Sequence, residues 1–376
     1  MPSTDYPFRK KPVFKVLKTD DSFKFKNLPE PTGFYPYRLS LENIVKPPQK
    51  NKLTFHMAGD TGSIYESLVQ DVITGEMAKQ VNQETSEEDK PLFLYHLGDV
   101  VYKYGEAENY YQQFFKPFQV YPAPIFAIAG NHDSDINPEN TPYESLNAFK
   151  QVFCDSESKF VAFDTDACRK SMVQPNIYWT LETHVANFIG LHSNVPKFGA
   201  ITDEQRAWFI DELKYAASQQ PKKVLIICVH HAPYSADTNH GSSLAIIDFF
   251  SKAFEETGIK PDLVFSGHVH NYQRFNKTYP NGKVVPHIVS GAGGYHELHS
   301  IAPLNSPDFP DTSTLFDSVT LEKYAVGQHG FLRVAIEKLQ SNYLVKVQYF
   351  TIPGINDLNE HSTASLFDDF EVIVHS

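Results

Sequence analysis

Five short segments hold side chains whose types could do chemistry together. They are GDTG (59–62), GDVVY (98–102), GNHD (130–133), HHAPY (230–234) and SGHVH (266–270). Together they offer Asp60, Asp99, Asn131, His132, His231, His268 and His270. Hard carboxylates, an amide oxygen and imidazoles suit borderline divalent and trivalent metal ions, not a thiolate site. The set is larger than one tetrahedral ion needs. Two ions roughly 3.5–4 Å apart, bridged by a carboxylate, are its natural occupants. His268 and His270, two residues apart, cannot easily share one ion from a helix, but from a turn they can face two adjacent ions. Each segment is weak alone, because GD recurs by chance and a lone His is usually structural. Their number and order carry the weight. Tyr102, among 20 tyrosines, reads alone as an ordinary core aromatic.

Strand ends must position these residues. LTFHMA precedes GDTG, LFLYHL precedes GDVVY, IFAIA precedes GNHD, VLIICV precedes HHAPY, and LVF precedes SGHVH. Brief apolar runs bounded by Gly and polar turns read as buried strands. Helical stretches lie between them: 109–118, 201–220 and 243–258. In the second, Thr202 and Gln205 fit a capping box, and Trp208, Phe209, Leu213 and Ala216 recur at helical spacing. Alternating strands and helices imply a layered α/β domain. In such domains, ligand sites gather beyond the carboxyl ends of strands, which would deliver all seven residues to one edge.

Length and composition set bounds. The chain has 376 residues, 41% hydrophobic, and a net charge of −12. That balance argues against non-specific nucleic-acid or acidic-membrane binding, and no nucleic-acid binding patch or protein partner is readable. A phosphate substrate stays open, because bound metal ions supply local positive charge. No run of 18 apolar residues marks a membrane span. The opening MPSTDYPFRKKPVFKVLK lacks an apolar core and does not read as a signal peptide. Residues 1–50 read as an extended arm packing on a main domain at 51–355. Residues 356–376 read as an acidic tail with a last strand, FEVIVHS. The long Pro- and Ser-rich stretch 296–322 is the kind of loop that is often functional. Cys228 reads as a reduced core residue, whereas Cys154 and Cys168 could pair in an oxidising compartment.

The ordered set GDTG, GDVVY, GNHD, HAP and GHVH resembles the calcineurin-like metallophosphoesterases. Within them, GDVVY, HAPY and GHVHNYQR are similar to purple acid phosphatases, including the tartrate-resistant type. Compact length resembles the small mammalian-type branch, while GHVHNYQR leans toward the plant type. The resemblance runs from about residue 51 to about residue 350 and implies a four-layer α/β sandwich. Two mixed β-sheets would be flanked by α-helices, with the dinuclear site at strand ends. It implies a ferric ion at Asp60, Asp99, Tyr102 and His270. The second ion, Fe(II), Zn or Mn, would lie at Asp99, Asn131, His231 and His268. His132 and His240 would contact the substrate phosphate. The implied reaction is hydrolysis of a small-molecule or protein-bound phosphate monoester by metal-bound hydroxide, with an acidic optimum. The alternative is a metal-dependent phosphodiesterase acting on nucleotides or phospholipid headgroups. Family members are usually exported, which leaves a secreted, periplasmic or lysosomal-type location open beside a cytoplasmic one.

Several histidines need separate readings. In HHAPY the family pattern selects His231, two residues before Pro, and strand alternation would point His230 the other way. His56 and His96 lie inside apolar runs and read as core residues or as supports for the ligands. His192 departs from the family, which more often has a carboxylate there. Asp133 could orient Asn131 or His132.

Overall fold

In a computed structural model, described residues are 9–15, 20–47, 51–65, 68–140, 143–304, 306–309 and 314–375. Two mixed sheets pack face to face. The larger has the order β1 (Arg38–Ser40), β5 (Trp179–Glu182), β6 (Ala186–Leu191), β7 (Val224–Val229), β8 (Leu263–Ser266), β10 (Val284–Ser290), β9 (Tyr272–Thr278), β11 (Val319–Ala325). The smaller has the order β14 (Ser365–His375), β13 (Asn342–Thr351), β12 (Gly330–Lys338), β2 (Lys52–Ala58), β3 (Leu94–His96), β4 (Ile125–Ala127). Pairing is parallel along β2–β3–β4 and along β6–β7–β8–β10. These parallel strands are buried almost throughout, as sheets covered on both faces require. Between the sheets, Phe188 of β6 meets Phe55 of β2 edge-on at 5.0 Å and stacks on Tyr95 of β3 at 5.7 Å.

Helices cover the outer faces. Among the described residues the α-helices are α1 (Leu68–Gln83), α2 (Lys116–Phe118), α3 (Asn131–Ser134), α4 (Asn147–Phe153), α5 (Asp203–Ser218) and α6 (Leu244–Thr257). α1 packs on α2 and β12, while α5 packs on α6 and β6. The Thr202 side chain accepts from Gln205 N at 3.2 Å and caps α5, but the Gln205 side chain bonds the His192 backbone instead of closing the expected capping box. Such a cap contributes about 1 kcal/mol. Ser243 caps α6 in the same way, and Gly258 ends it in the left-handed region. The stretch 109–118 is less regular than its periodicity predicts: a π-helical turn, Tyr111–Phe115, precedes α2. Pro117 has no N–H to give the Gln113 carbonyl, which accepts from Gln70 Nε2 instead.

Both chain ends join this frame. Val13 exchanges backbone bonds with Ser235 and Ser242, Leu321 N donates to Lys10 O, and β1 extends the larger sheet through β5. Arg38 donates to the buried Glu212 carboxylate at 2.8 Å, with its guanidinium over the Tyr215 ring. Residues 1–8, 16–19 and 48–50 of the expected arm lie outside the described residues. At the other end, β14 pairs with β13 from Ser365 to His375, so most of the expected tail is a strand. All three cysteines are free: Cys154 Sγ donates to Asn176 O and Cys168 Sγ to Phe115 O. No helix among the described residues is long and apolar enough to cross a membrane.

Candidate metal centre

Five strands end at one edge and release their loops there. Asp60 follows β2, Asp99 follows β3, Asn131 follows β4, His230 and His231 follow β7, and His268 and His270 follow β8. Three of these residues leave their strands in the left-handed region: Asp60 at φ 57°, Asp99 at 55° and His268 at 66°. Each such non-glycine conformation costs about 1–3 kcal/mol and persists where surrounding structure dictates it, most often at functional sites. Two glycines make room. A Cβ on Gly130 would lie 2.1 Å from Asp99 Oδ1, and one on Gly267 would lie 2.5 Å from Asp60 Oδ2.

Asp60, Tyr102 and His270 form one group. The Tyr102 hydroxyl lies 3.3 Å from Asp60 Oδ1 and 3.2 Å from His270 Nε2. His270 Nδ1 donates to the Glu297 carbonyl at 2.9 Å, which leaves Nε2 with its lone pair toward Tyr102. Burial, then the Asp99 and Asp60 carboxylates, raise the Tyr102 pKa well above its ordinary value. Its phenol therefore keeps its proton unless a strong positive charge enters.

Asp99, Asn131, His230, His231 and His268 form the second group. Asn131 Oδ1 is 2.9 Å from His268 Nδ1 and 3.2 Å from His230 Nε2, and His230 Nε2 is 3.3 Å from Asp99 Oδ2. Asp99, His230 and His268 offer ligand atoms within 4.8 Å of one another. The His231 and His268 rings are 4.2 Å apart. His230 thus faces the site instead of pointing away. β7 ends at Val229, so strand alternation no longer governs the next residue. Burial disfavours the His230 cation, yet the Asp99 and Asp60 carboxylates push its pKa up to about 9.

The donors fit metal ions. His231 Nε2 and His268 Nε2 are buried without a hydrogen-bond partner, although His231 Nδ1 is tied to Ser193 Oγ at 2.7 Å. An unsatisfied buried acceptor costs about 1–3 kcal/mol, and a metal ion would satisfy both nitrogens. These donors, with Asp60, Asp99, Asn131 and Tyr102, are the hard and borderline set that iron, zinc or manganese accepts.

The two expected phosphate-contacting histidines border this centre. His132 N donates to Asp99 Oδ1 at 2.9 Å, and its Nδ1 donates to Lys103 O at 2.8 Å. The His240 ring is 4.0 Å from His268. Asp133 accepts from the backbone of Gly130, Val100 and Val101, so it locks two ligand-bearing loops together. His56 and His96 are core: the first meets Tyr121 and Gln80, the second Thr61. His192 is buried under the site, with its N–H on Gln205 Oε1.

Three further residues carry no motif signal. Tyr295 stacks on Tyr102 at 4.1 Å. His299 stacks on His270 at 4.4 Å and pairs through Nδ1 with Asp237 Oδ2 at 3.1 Å. Asp237 also accepts from the backbone N–H groups of Asn239, His240 and Gly241. The length of the 296–322 stretch was the only hint of His299. That stretch holds the carbonyl that fixes His270, though residues 305 and 310–313 lie outside the described residues.

The calcineurin-like phosphoesterase family model matches residues 53–272, more than half of the chain, across all five segments. The chain belongs to that family. Among curated relatives, it is 26% identical over 251 residues to probable purple acid phosphatase 20 of Arabidopsis thaliana, covering 62% of this chain and 49% of that one. Purple acid phosphatase 15 of the same plant is 27% identical, covering 49% and 32%. The chain therefore spans about half or less of these relatives. Two solved structures share the fold. PhoD superposes with a TM-score of 0.54 at 11% identity, covering 88% of this chain and 72% of that one. GAP50, described as the anchor in the inner membrane complex of Plasmodium, gives 0.51 at 14% identity, covering 85% and 90%.

Proposed function

We propose that this phosphoesterase-family protein hydrolyses phosphate monoesters at a two-metal centre, with an acidic optimum, in the manner of purple acid phosphatases. The supporting observation is the Tyr102 hydroxyl, within 3.3 Å of Asp60 and 3.2 Å of His270. Asp60, Asp99, Tyr102 and His270 would hold a ferric ion, and Asp99, Asn131, His231 and His268 an Fe(II), Zn or Mn ion. Bound there, the two ions would acidify water and counter the charge of the phosphoryl group.

The chain's own residues do the rest. The backbone N–H of His268 donates to both Asp60 oxygens, at 3.0 and 2.8 Å, and holds that carboxylate in place. The His132 backbone N–H donates to one Asp99 oxygen, Oδ1, at 2.9 Å and holds that carboxylate likewise. With Nδ1–H spent on the Lys103 carbonyl, the other His132 nitrogen is left to meet substrate. Protonated, it would donate to a phosphoryl or leaving oxygen. Asp237 fixes the backbone of His240, which would add a second imidazole beside the phosphate.

Hydrolysis of 4-nitrophenyl phosphate against bis(4-nitrophenyl) phosphate, from pH 4 to 8, tests the reading. A monoester preference peaking below neutrality is expected. A diester preference near neutrality would replace it with a divalent phosphodiesterase, and chelator-resistant activity would remove the metals from the reaction.

A further inference from the structure

A second cleft, of about 690 Å³, lies between α6, β9 and the turn before β11, and none of the metal-centre residues line it. Its walls include Tyr234, Phe250 and Tyr279, with Lys260, Lys277 and His287 among them. A space of this size admits a small organic molecule, and flat aromatic walls suit a flat apolar body.

The polar groups here are incomplete. Lys260 Nζ and Lys277 Nζ lie over the same Tyr279 ring, 5.2 and 5.9 Å from its centre. Neither has a carboxylate partner among the described residues. Lys277 bonds only to the neutral Ser318 hydroxyl, and half-burial lowers its pKa with no acid opposing. His287 is 4% exposed, and both its ring nitrogens lack a partner. Its ring lies 4.8 Å from that of Tyr234. Burial and the Lys277 charge hold it neutral, with its pKa down at about 3. The two carboxylates that line the cleft do not neutralise the lysines: Glu255 is exposed, and Asp317 is paired with Lys11. Two ammonium groups over one ring repel each other, and an anion between them turns that repulsion into attraction.

We propose that this cleft binds a small aromatic anion, a flat ring system bearing a carboxylate or phosphate. The anionic group sits between Lys260 and Lys277, and the ring lies against Tyr234 and Phe250. Tyr234 is three residues from His231, so an occupant adjoins the loop that carries a candidate metal ligand without entering the metal centre.

The test is calorimetric titration of the full chain with 2-naphthoate, which has no phosphate ester to hydrolyse. Lys260→Ala and Lys277→Ala should each weaken binding about tenfold, the worth of one charge-assisted hydrogen bond. Lys277→Arg should keep most of the affinity, and His240→Ala, at the metal centre, should leave it unchanged. Absence of binding at millimolar concentration overturns the proposal. So does affinity that both lysine-to-alanine variants retain, or affinity lost with His240→Ala.

Discussion

The Tyr102 hydroxyl lies 3.2 Å from His270 Nε2, although 168 residues separate the two in sequence. The same hydroxyl is 3.3 Å from Asp60, and its ring is stacked on Tyr295. Tyr102→Phe keeps that stacking and loses only the hydroxyl. If the proposed ferric ion binds the Tyr102 phenolate, the metal-loaded parent shows a visible charge-transfer band; the variant should lack it while melting within a few degrees of the parent, since one hydrogen bond is worth about 1 kcal/mol. Absorption spectra before and after substitution decide this. An unchanged band would strike Tyr102 from the ligands.

His230 and His231 can be separated by metal content. Both His230 nitrogens are engaged, Nδ1 with Leu97 O at 2.8 Å and Nε2 with Asn131 and Asp99. His231 Nε2 has no partner. His231→Ala should therefore drop bound metal from two ions toward one, and His230→Ala should retain two. Elemental analysis of both purified variants reads this directly, and the reverse pattern would make His230 the ligand.

His132 can be removed without unseating the metals. It holds Asp99 through its backbone N–H, and only its ring reaches Lys103 and the open side of the site. His132→Ala should keep its metal content while kcat falls about a hundredfold, the usual scale for a lost acid or base. Loss of metal together with activity would assign the ring a structural role instead.

Acid stability should depend on His56. Burial lowers its pKa from 6.5 to about 3, away from the metal centre. Between those values the unfolded chain binds a proton that the folded chain refuses. Stability from this group is therefore complete above pH 6.5 and falls as pH drops toward 3. The loss reaches about 2 kcal/mol at pH 5. Urea unfolding at several pH values should show a shallower acid slope for His56→Gln by about one proton. An identical slope would mean that His56 is not held neutral.

Much of this protein follows from sequence order alone. Short apolar runs ending in Gly and polar residues are local signals, so strands β2, β3, β4, β7 and β8 and the residues beyond them could be read directly. The Thr202 cap of α5 is equally local. The two-ion site followed from the types and number of these donors, while the ferric ion and the phosphate ester came with the family resemblance those segments carry. Only the tertiary structure turned His230 into the site, because β7 stops one residue earlier and strand alternation stops with it. It alone paired Asp237 with His299 across 62 residues and laid Tyr295 on Tyr102. It alone extended the expected last strand, FEVIVHS, back to Ser365 and placed it against β13. Strand ends and caps are fixed by neighbours along the chain. Ring stacks, buried polar pairs and sheet edges are fixed by neighbours in space.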